Sequence, residues 1–200
     1  MNGPQSDNQM NGPHNDRING PNCDIINGPE SYNRDSINGT RRLERGKAYR
    51  ETSRSPESTR MIGRELGKLL TQGDVVFIYG EIGAGKTVFV SGIAHSLGIR
   101  DYITSPTFTI ANVYEGLHTF YHFDAFRIEN PSQLFETGFY DYAGADCIIA
   151  VEWAERLSDF VPESSIEIRI DSVGDNESER KIEIRFNDGE NAEETENKDT

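Results

Sequence analysis

The chain has 200 residues, room for one domain with or without polar ends, but only 34% are hydrophobic, so the polar excess should concentrate in particular segments. A formal charge of −14 argues against wide direct contact with a nucleic-acid backbone, and two cysteines support neither a disulfide framework nor a zinc site. No run approaches the ~20 apolar residues of a membrane span, and the opening MNGPQSDNQM carries no signal-peptide pattern, so a soluble cytoplasmic protein is expected.

Residues 1–48 are low in complexity. Asn-Gly-Pro recurs at 2–4, 11–13, 19–21 and 27–29, with a related Asn-Gly-Thr at 38–40. These are turn signals in a segment with little to bury, so a disordered tail is expected. A second disordered tail, acidic, is expected over 187–200. Charge follows the same division: the first fifty residues hold +1, the last fourteen −5, and the part between −10.

Order is expected from about Thr52, in one domain over 52–186. Ser55 suits a helix N-cap, Pro56 the first helical position and Glu57 the positive end of the helix. Met61, Ile62, Leu66, Leu69 and Leu70 recur at helical spacing, and Gly73 can end the helix. Val75 to Tyr79 then reads as a buried parallel strand. It runs into Gly80-Glu81-Ile82-Gly83-Ala84-Gly85-Lys86-Thr87, a full match to G-x-x-x-x-G-K-[ST]. Glycines let successive N–H groups face a phosphate, Lys86 supplies charge to the β- and γ-phosphates, and the Thr87 hydroxyl can ligate Mg²⁺. A helix over 87–97 follows, its N-terminus adding partial positive charge and Phe89, Ile93 and Leu97 forming its inward stripe. An accidental glycine-rich turn is the bland alternative, and the flanking strand and helix weigh against it.

Further on, Phe108 to Tyr114 reads as a strand and Leu117 to Phe123 as its hairpin partner, closed by Asp124. A helix is expected from Asn130 to Gly138, with Leu134 and Phe135 inward, and a loop over 139–144. Cys147 to Val151 is a continuous apolar run, a central strand ended by Glu152. Ile166 to Ile170 and Lys181 to Phe186 alternate as strands with one wet face.

A P-loop ATPase needs an anionic group near Thr87, taken from the carboxyl end of a strand beside the loop. Glu152 and Asp124 both meet that description. One division gives Glu152 the metal and Asp124 the attacking water or a supporting role. Ser105-Pro106-Thr107 lies where a γ-phosphate-sensing loop would sit, and a hydroxyl there could couple hydrolysis to loop movement. His118 and His122 lack companions at metal spacing and read as structural. Arg127 reads as a surface salt-bridge residue.

Together these motifs resemble the TsaE (YjeE) family of P-loop ATPases, which act in the threonylcarbamoyl modification of adenosine 37 in tRNA. The matching stretches are SPEST at 55–59, GDVVFIYGEIGAGKT at 73–87, SPTFT at 105–109, HFDAFR at 122–127 and VEW at 151–153. The resemblance implies an α/β, P-loop NTPase-like domain with a mostly parallel central sheet flanked by helices, hydrolysing ATP to ADP and phosphate with Mg²⁺. It implies that Ile82 to Thr87 bind phosphates, with Glu81 in the same loop. It also implies that Thr87 and Glu152 hold Mg²⁺, that Lys86 and Asp124 support hydrolysis, and that Thr107 sits in a switch-like loop. Residues near Thr59 are implied to contact the base. The implied partners are TsaB and TsaD, which carry out the transfer and through which tRNA would be met indirectly.

Two other classes fit less well. A small-molecule or nucleoside kinase predicts an arginine-rich lid, yet 125–145 holds only Arg127. A GTPase-like switch predicts an Asn-Lys-x-Asp guanine reader, which the sequence lacks.

Overall fold

The computed structural model describes residues 36–37 and 40–187, apart from 131–132, 134–136, 143–145, 163 and 175. The Asn-Gly-Pro repeats before residue 36 and the acidic residues after 187 lie outside the described residues, as does most of the helix expected after Asn130. There, Gln133 N–H donates to the Asn130 side chain at 3.3 Å.

Two short strands, β1 (Ser36–Ile37) and β2 (Thr40–Arg41), pair with each other. The main sheet has seven strands: β3 (Tyr49–Ser53), β4 (Val75–Tyr79), β5 (Ala111–Glu115), β6 (Thr119–Asp124), β7 (Cys147–Glu152), β8 (Ile166–Val173) and β9 (Asn176–Phe186). Their order is β3-β9-β8-β4-β7-β6-β5. The central four, β8, β4, β7 and β6, are parallel, and antiparallel strands close both edges. The sheet is therefore mixed around a parallel centre.

Helix α1 (Pro56–Gly67) begins as its residues dictate: Ser55 is extended and its side chain accepts the Ser58 N–H at 3.1 Å. Its buried residues Thr59, Ile62, Gly63, Leu66 and Gly67 share one face, set against α2 (Lys86–Ser96). The helices approach through small residues. A Cβ on Gly63 would lie 2.2 Å from the Phe89 carbonyl oxygen, and one on Gly92 would lie 2.1 Å from that of Arg60. α1 ends at Gly67 rather than Gly73; Leu70 lies beyond it, buried in a turn that leads to β4.

Alternation along the strands divides the core. Val76 and Ile78 of β4 face the side covered by Ile62, Leu66, Phe89 and Ile93, while Val75 and Phe77 face Phe123, Ile149, Val151 and Leu157. The second side is covered partly by a 3-10 segment, Ala154–Phe160, and by one helical turn, Phe139–Tyr142. That turn falls where a loop was expected. Phe139 is buried edge-on to Phe123, 5.4 Å between centroids, and this packing is a non-local reason for order there.

Two expectations shift at the edges. Order begins earlier than Thr52: Tyr49 opens an edge strand, Leu43 is buried in the core, and Arg45 makes two bonds to Asp74, at 2.7 and 2.9 Å. β5 begins at Ala111 rather than Phe108. Residues 107–110 turn instead, with Thr109 and Ile110 N–H groups donating to Pro106 O, and Phe108 is 83% exposed. An apolar, β-branched run does not distinguish a strand from a turn whose hydroxyls are claimed elsewhere.

Candidate functional site

The strand register assembles the site. In the parallel pairs Ile78 lies opposite Glu152, and Asp124 opposite Glu152. Both carboxylates therefore end their strands level with the end of β4, where the glycine loop departs. This is the carboxyl edge of a parallel sheet, the usual place for a ligand.

The loop's conformation requires its glycines. Gly80 has φ +143° and packs so closely that a Cβ would lie 2.3 Å from the Ile170 carbonyl oxygen. Gly85, at φ +103°, opens α2, where its carbonyl accepts the Phe89 N–H at 2.9 Å. Two further contacts hold the loop. Glu155 Oε1 accepts the Gly80 N–H at 3.2 Å, and Arg180 donates from Nε to Ala84 O at 3.0 Å and from Nη2 to Gly83 O at 3.3 Å.

Lys86 is buried inside this turn. Its Nζ donates to Gly80 O at 2.5 Å and Glu81 O at 2.9 Å, and lies 3.6 Å from the centroid of the Trp153 ring. Burial lowers the ammonium's pKa below the usual lysine value, opposed by the attraction of Glu152, Glu155 and Asp124. Trp153 itself sits at φ +61°, a left-handed conformation that is costly for a bulky residue, and packs against Phe126.

The carboxylates are buried and differently engaged. Glu152 accepts from Thr87 Oγ1 at 2.8 and 3.1 Å, and His122 Nε2 lies 2.8 Å from its Oε1. Asp124 Oδ2 accepts from Ser105 Oγ at 2.6 Å and Thr107 Oγ1 at 2.5 Å, while its Oδ1 accepts the Phe126 N–H. A cleft of about 390 Å³ is lined by Ile82, Gly83, Gly85, Lys86 and Thr87 on one side. Ser105, Thr107, Asp124, Glu152 and Trp153 line the other.

These donors suit a hard divalent ion. Cis oxygens on an octahedral Mg²⁺ with bonds of about 2.1 Å lie about 3.0 Å apart, and Thr87 Oγ1 and Glu152 Oε1 stand at 2.8 Å. Among the described residues no group of three or more His, Cys, Asp and Glu side chains converges as a self-sufficient metal cage. An ion that completes its shell with phosphate and water needs none.

The expected residues Gly83, Gly85, Lys86, Thr87, Thr107, Asp124 and Glu152 thus meet at one cleft. Ile82 reaches it from the exposed tip of the loop; Glu81 offers its backbone carbonyl to Lys86, and Ala84 packs buried beneath. Thr59 is buried, its hydroxyl 2.7 Å from Ser53 Oγ. Sequence reasoning missed His122, which holds Glu152 rather than serving only the core. Its signal was the i, i+2 spacing from Asp124, which sets both on one face of β6. It also gave no role to Trp153, although that residue ends the VEW stretch, and missed Glu155 and Arg180, for which no local pattern exists. Arg127 stacks its guanidinium over the Phe108 ring, 4.6 Å from the centroid.

A glycine loop between a central parallel strand and a helix, with a strand-end carboxylate on the loop threonine, defines a P-loop NTPase-like nucleotide-binding protein. A crystal structure of Bacillus subtilis YdiB shares the fold, with a TM-score of 0.60 and 30% identity over 70% of this chain and 86% of that one. The sequence profile described as threonylcarbamoyl adenosine biosynthesis protein TsaE matches residues 53–182. Proteins named tRNA threonylcarbamoyladenosine biosynthesis protein TsaE are similar as well. That of Treponema pallidum (strain Nichols) is 39% identical over 64% of this chain and 94% of its own length. That of Bacillus subtilis (strain 168) is 36% identical over 62% and 78%. The chain belongs to the TsaE family.

Proposed function

We propose that this chain is a Mg²⁺-dependent ATPase that yields ADP and phosphate, and that it acts with TsaB- and TsaD-type partners in threonylcarbamoylation of tRNA adenosine 37. The observation that carries the reading is the register of β6 and β7, which sets Asp124 and Glu152 side by side against Lys86 and Thr87. Mg²⁺, when bound, would supply Lewis-acid stabilisation of the charge that develops on the phosphate.

The chain's own groups divide the remaining work. The N–H groups of the loop and the start of α2 receive the phosphates, and Lys86 leaves the Gly80 and Glu81 carbonyls for the β- and γ-phosphates. Thr87 Oγ1 and Glu152 would hold the metal, with His122 fixing the rotamer of Glu152. Asp124 orients the attacking water and takes its proton. Asp124 Oδ2 accepts from both Ser105 and Thr107. Turning Thr107 toward the γ-phosphate would leave that oxygen to Ser105 alone, with a place for a second donor such as water, linking the loop to the chemistry. Trp153 and Phe126 cover one wall and limit water.

The acidic surface suits a protein that meets tRNA through partners and works in the cytoplasm. Among the described residues no helix is long and apolar enough to cross a membrane. The test is ATP hydrolysis by the purified chain with and without a TsaB–TsaD pair. A rise on adding the pair is expected. Label from the γ-phosphate appearing on an added small molecule would replace this reading with a kinase.

A further inference from the structure

The phosphate loop is gripped from outside by a residue far along the chain. Arg180 stands on β9, paired with Ser53 of β3 on one side and Ser172 of β8 on the other. Its guanidinium lies along the loop's outer carbonyls, with Nε on Ala84 O at 3.0 Å and Nη2 on Gly83 O at 3.3 Å. Nη1 donates to the Glu179 carbonyl at 2.9 Å, which ties the planar group to its own strand. A neighbouring contact, Arg54 Nε to Glu179 at 3.7 Å, joins the same stretch to β3.

Peptide planarity carries this outer contact to the inner side. In a trans peptide the C=O and N–H point in opposite directions. Drawing the Ala84 carbonyl toward Arg180 therefore turns the Gly85 N–H away from it, on the side where Gly85 lines the cleft. The Gly83 carbonyl shares its peptide with the Ala84 N–H, which donates to Glu81 O at 3.2 Å and closes the turn. Gly83 and Gly85 both have positive φ, so the flanking bonds offer little steric resistance to a flip of these peptides. A charged donor on the carbonyls also polarises the peptides and strengthens their N–H groups as donors to an anion.

The other clamps act elsewhere on the loop. Glu155 holds the Gly80 N–H, and Ile170 packs against Gly80, so both secure its entry. Phe89 bonds to Gly85 O at its exit. Only Arg180, among the described residues, grips the two peptides between them with a side chain.

We propose that Arg180 is a positioning residue of the phosphate loop, holding the Ala84–Gly85 peptide in its anion-receiving orientation, and the Gly83–Ala84 peptide in the turn that supports it, before nucleotide arrives. It acts through the backbone and from outside the cleft. The inference rests on the reading of this loop as the phosphate site.

The test uses the full chain, ADP as the probe, and the variants Arg180→Gln and Arg180→Lys. Arg180→Gln should raise the Kd for ADP about tenfold, the loss expected when charge-assisted bonds that preorganise a site are removed. Melting of the unliganded protein should fall by no more than about 2 °C, because the residue is half-buried at the rim of the loop and outside the apolar core. Arg180→Lys keeps charge and one donor and should recover part of the affinity. Binding of ADP by Arg180→Gln within about twofold of wild type would overturn the proposal. So would a weakened Kd matched by a large melting loss that Arg180→Lys leaves unrepaired. Failure of the wild-type chain to bind ADP would instead remove the phosphate-site reading, and this proposal with it.

Discussion

Asp124 and Glu152 are register partners on adjacent parallel strands, yet they hold different company: the first is capped by Ser105 and Thr107, the second by Thr87 and His122. Two carboxylates of one level are thereby given two environments. One faces the 105–107 loop, the other the first turn of α2. That asymmetry is the basis for assigning them separate roles.

Substitution at each should separate those roles. Glu152→Gln is expected to weaken Mg²⁺-dependent nucleotide binding about tenfold or more, since it removes the charge of the proposed metal ligand. Asp124→Asn should leave binding near wild type and lower turnover about 10²-fold or more, the usual scale for a general base. Titrations of ATP at varied Mg²⁺, beside single-turnover rates, check this. The reverse ranking would exchange the assignments.

Lys86 and Trp153 provide an optical readout. The chain has one tryptophan, and the Lys86 ammonium rests 3.6 Å from its ring centroid. Nucleotide that draws Lys86 to its phosphates should change the indole emission. The change should vanish in Trp153→Phe and be greatly reduced in Lys86→Ala, which should also lack turnover. An unaltered emission titration in Lys86→Ala would show that the ammonium does not report binding.

His122 makes a structural and a functional prediction at once. Replacing it by Phe removes one of the two partners of the buried Glu152 Oε1 and leaves Thr87 as the other, at a cost of about 1–3 kcal/mol for a bond to a charged group. Chemical denaturation should show this loss, and Mg²⁺ affinity should fall with it. His122→Asn, which keeps a donor, should lose less of the metal affinity.

The segment before β3 belongs to the folded domain. Leu43 is 2% exposed in the core, so Leu43→Ala should cost about 2–4 kcal/mol. A chain beginning at Arg42 should melt near the full-length value, whereas one beginning at Tyr49 should melt several degrees lower. Equal melting of the two would place Leu43 outside the cooperative unit.

Asp74 supplies a pH dependence. Burial would raise its pKa, but bonds from Arg45 and Thr71 outweigh that and hold the folded carboxyl below its ordinary value. A depressed folded pKa means stability that is present above the unfolded value of about 4 and lost as pH falls through the folded one. The deficit of Asp74→Asn relative to wild type should therefore be largest near neutral pH and shrink below about pH 4. Denaturant midpoints at several pH values measure it.

The parts of this protein determined by the sequence alone are those governed by neighbours in the chain. The Ser55 cap, the apolar β4 run, the glycines and Lys86-Thr87 of the loop, and a carboxylate at the end of each of two strands all depend on residues within a few positions of one another. Tertiary structure decided what depends on pairing across long separations. The β6–β7 register made Asp124 and Glu152 neighbours and brought His122 onto Glu152. The β8–β9 hairpin carried Arg180 to the loop, nearly a hundred residues away. Asp124 bound the hydroxyls of Ser105 and Thr107, the turn there ran on through 108–110 of the expected strand, and Leu43 joined the core from a polar stretch. Local periodicity records which face of an element is apolar, but not which element will lie opposite it. Those contacts exist only once the sheet has closed its order and register.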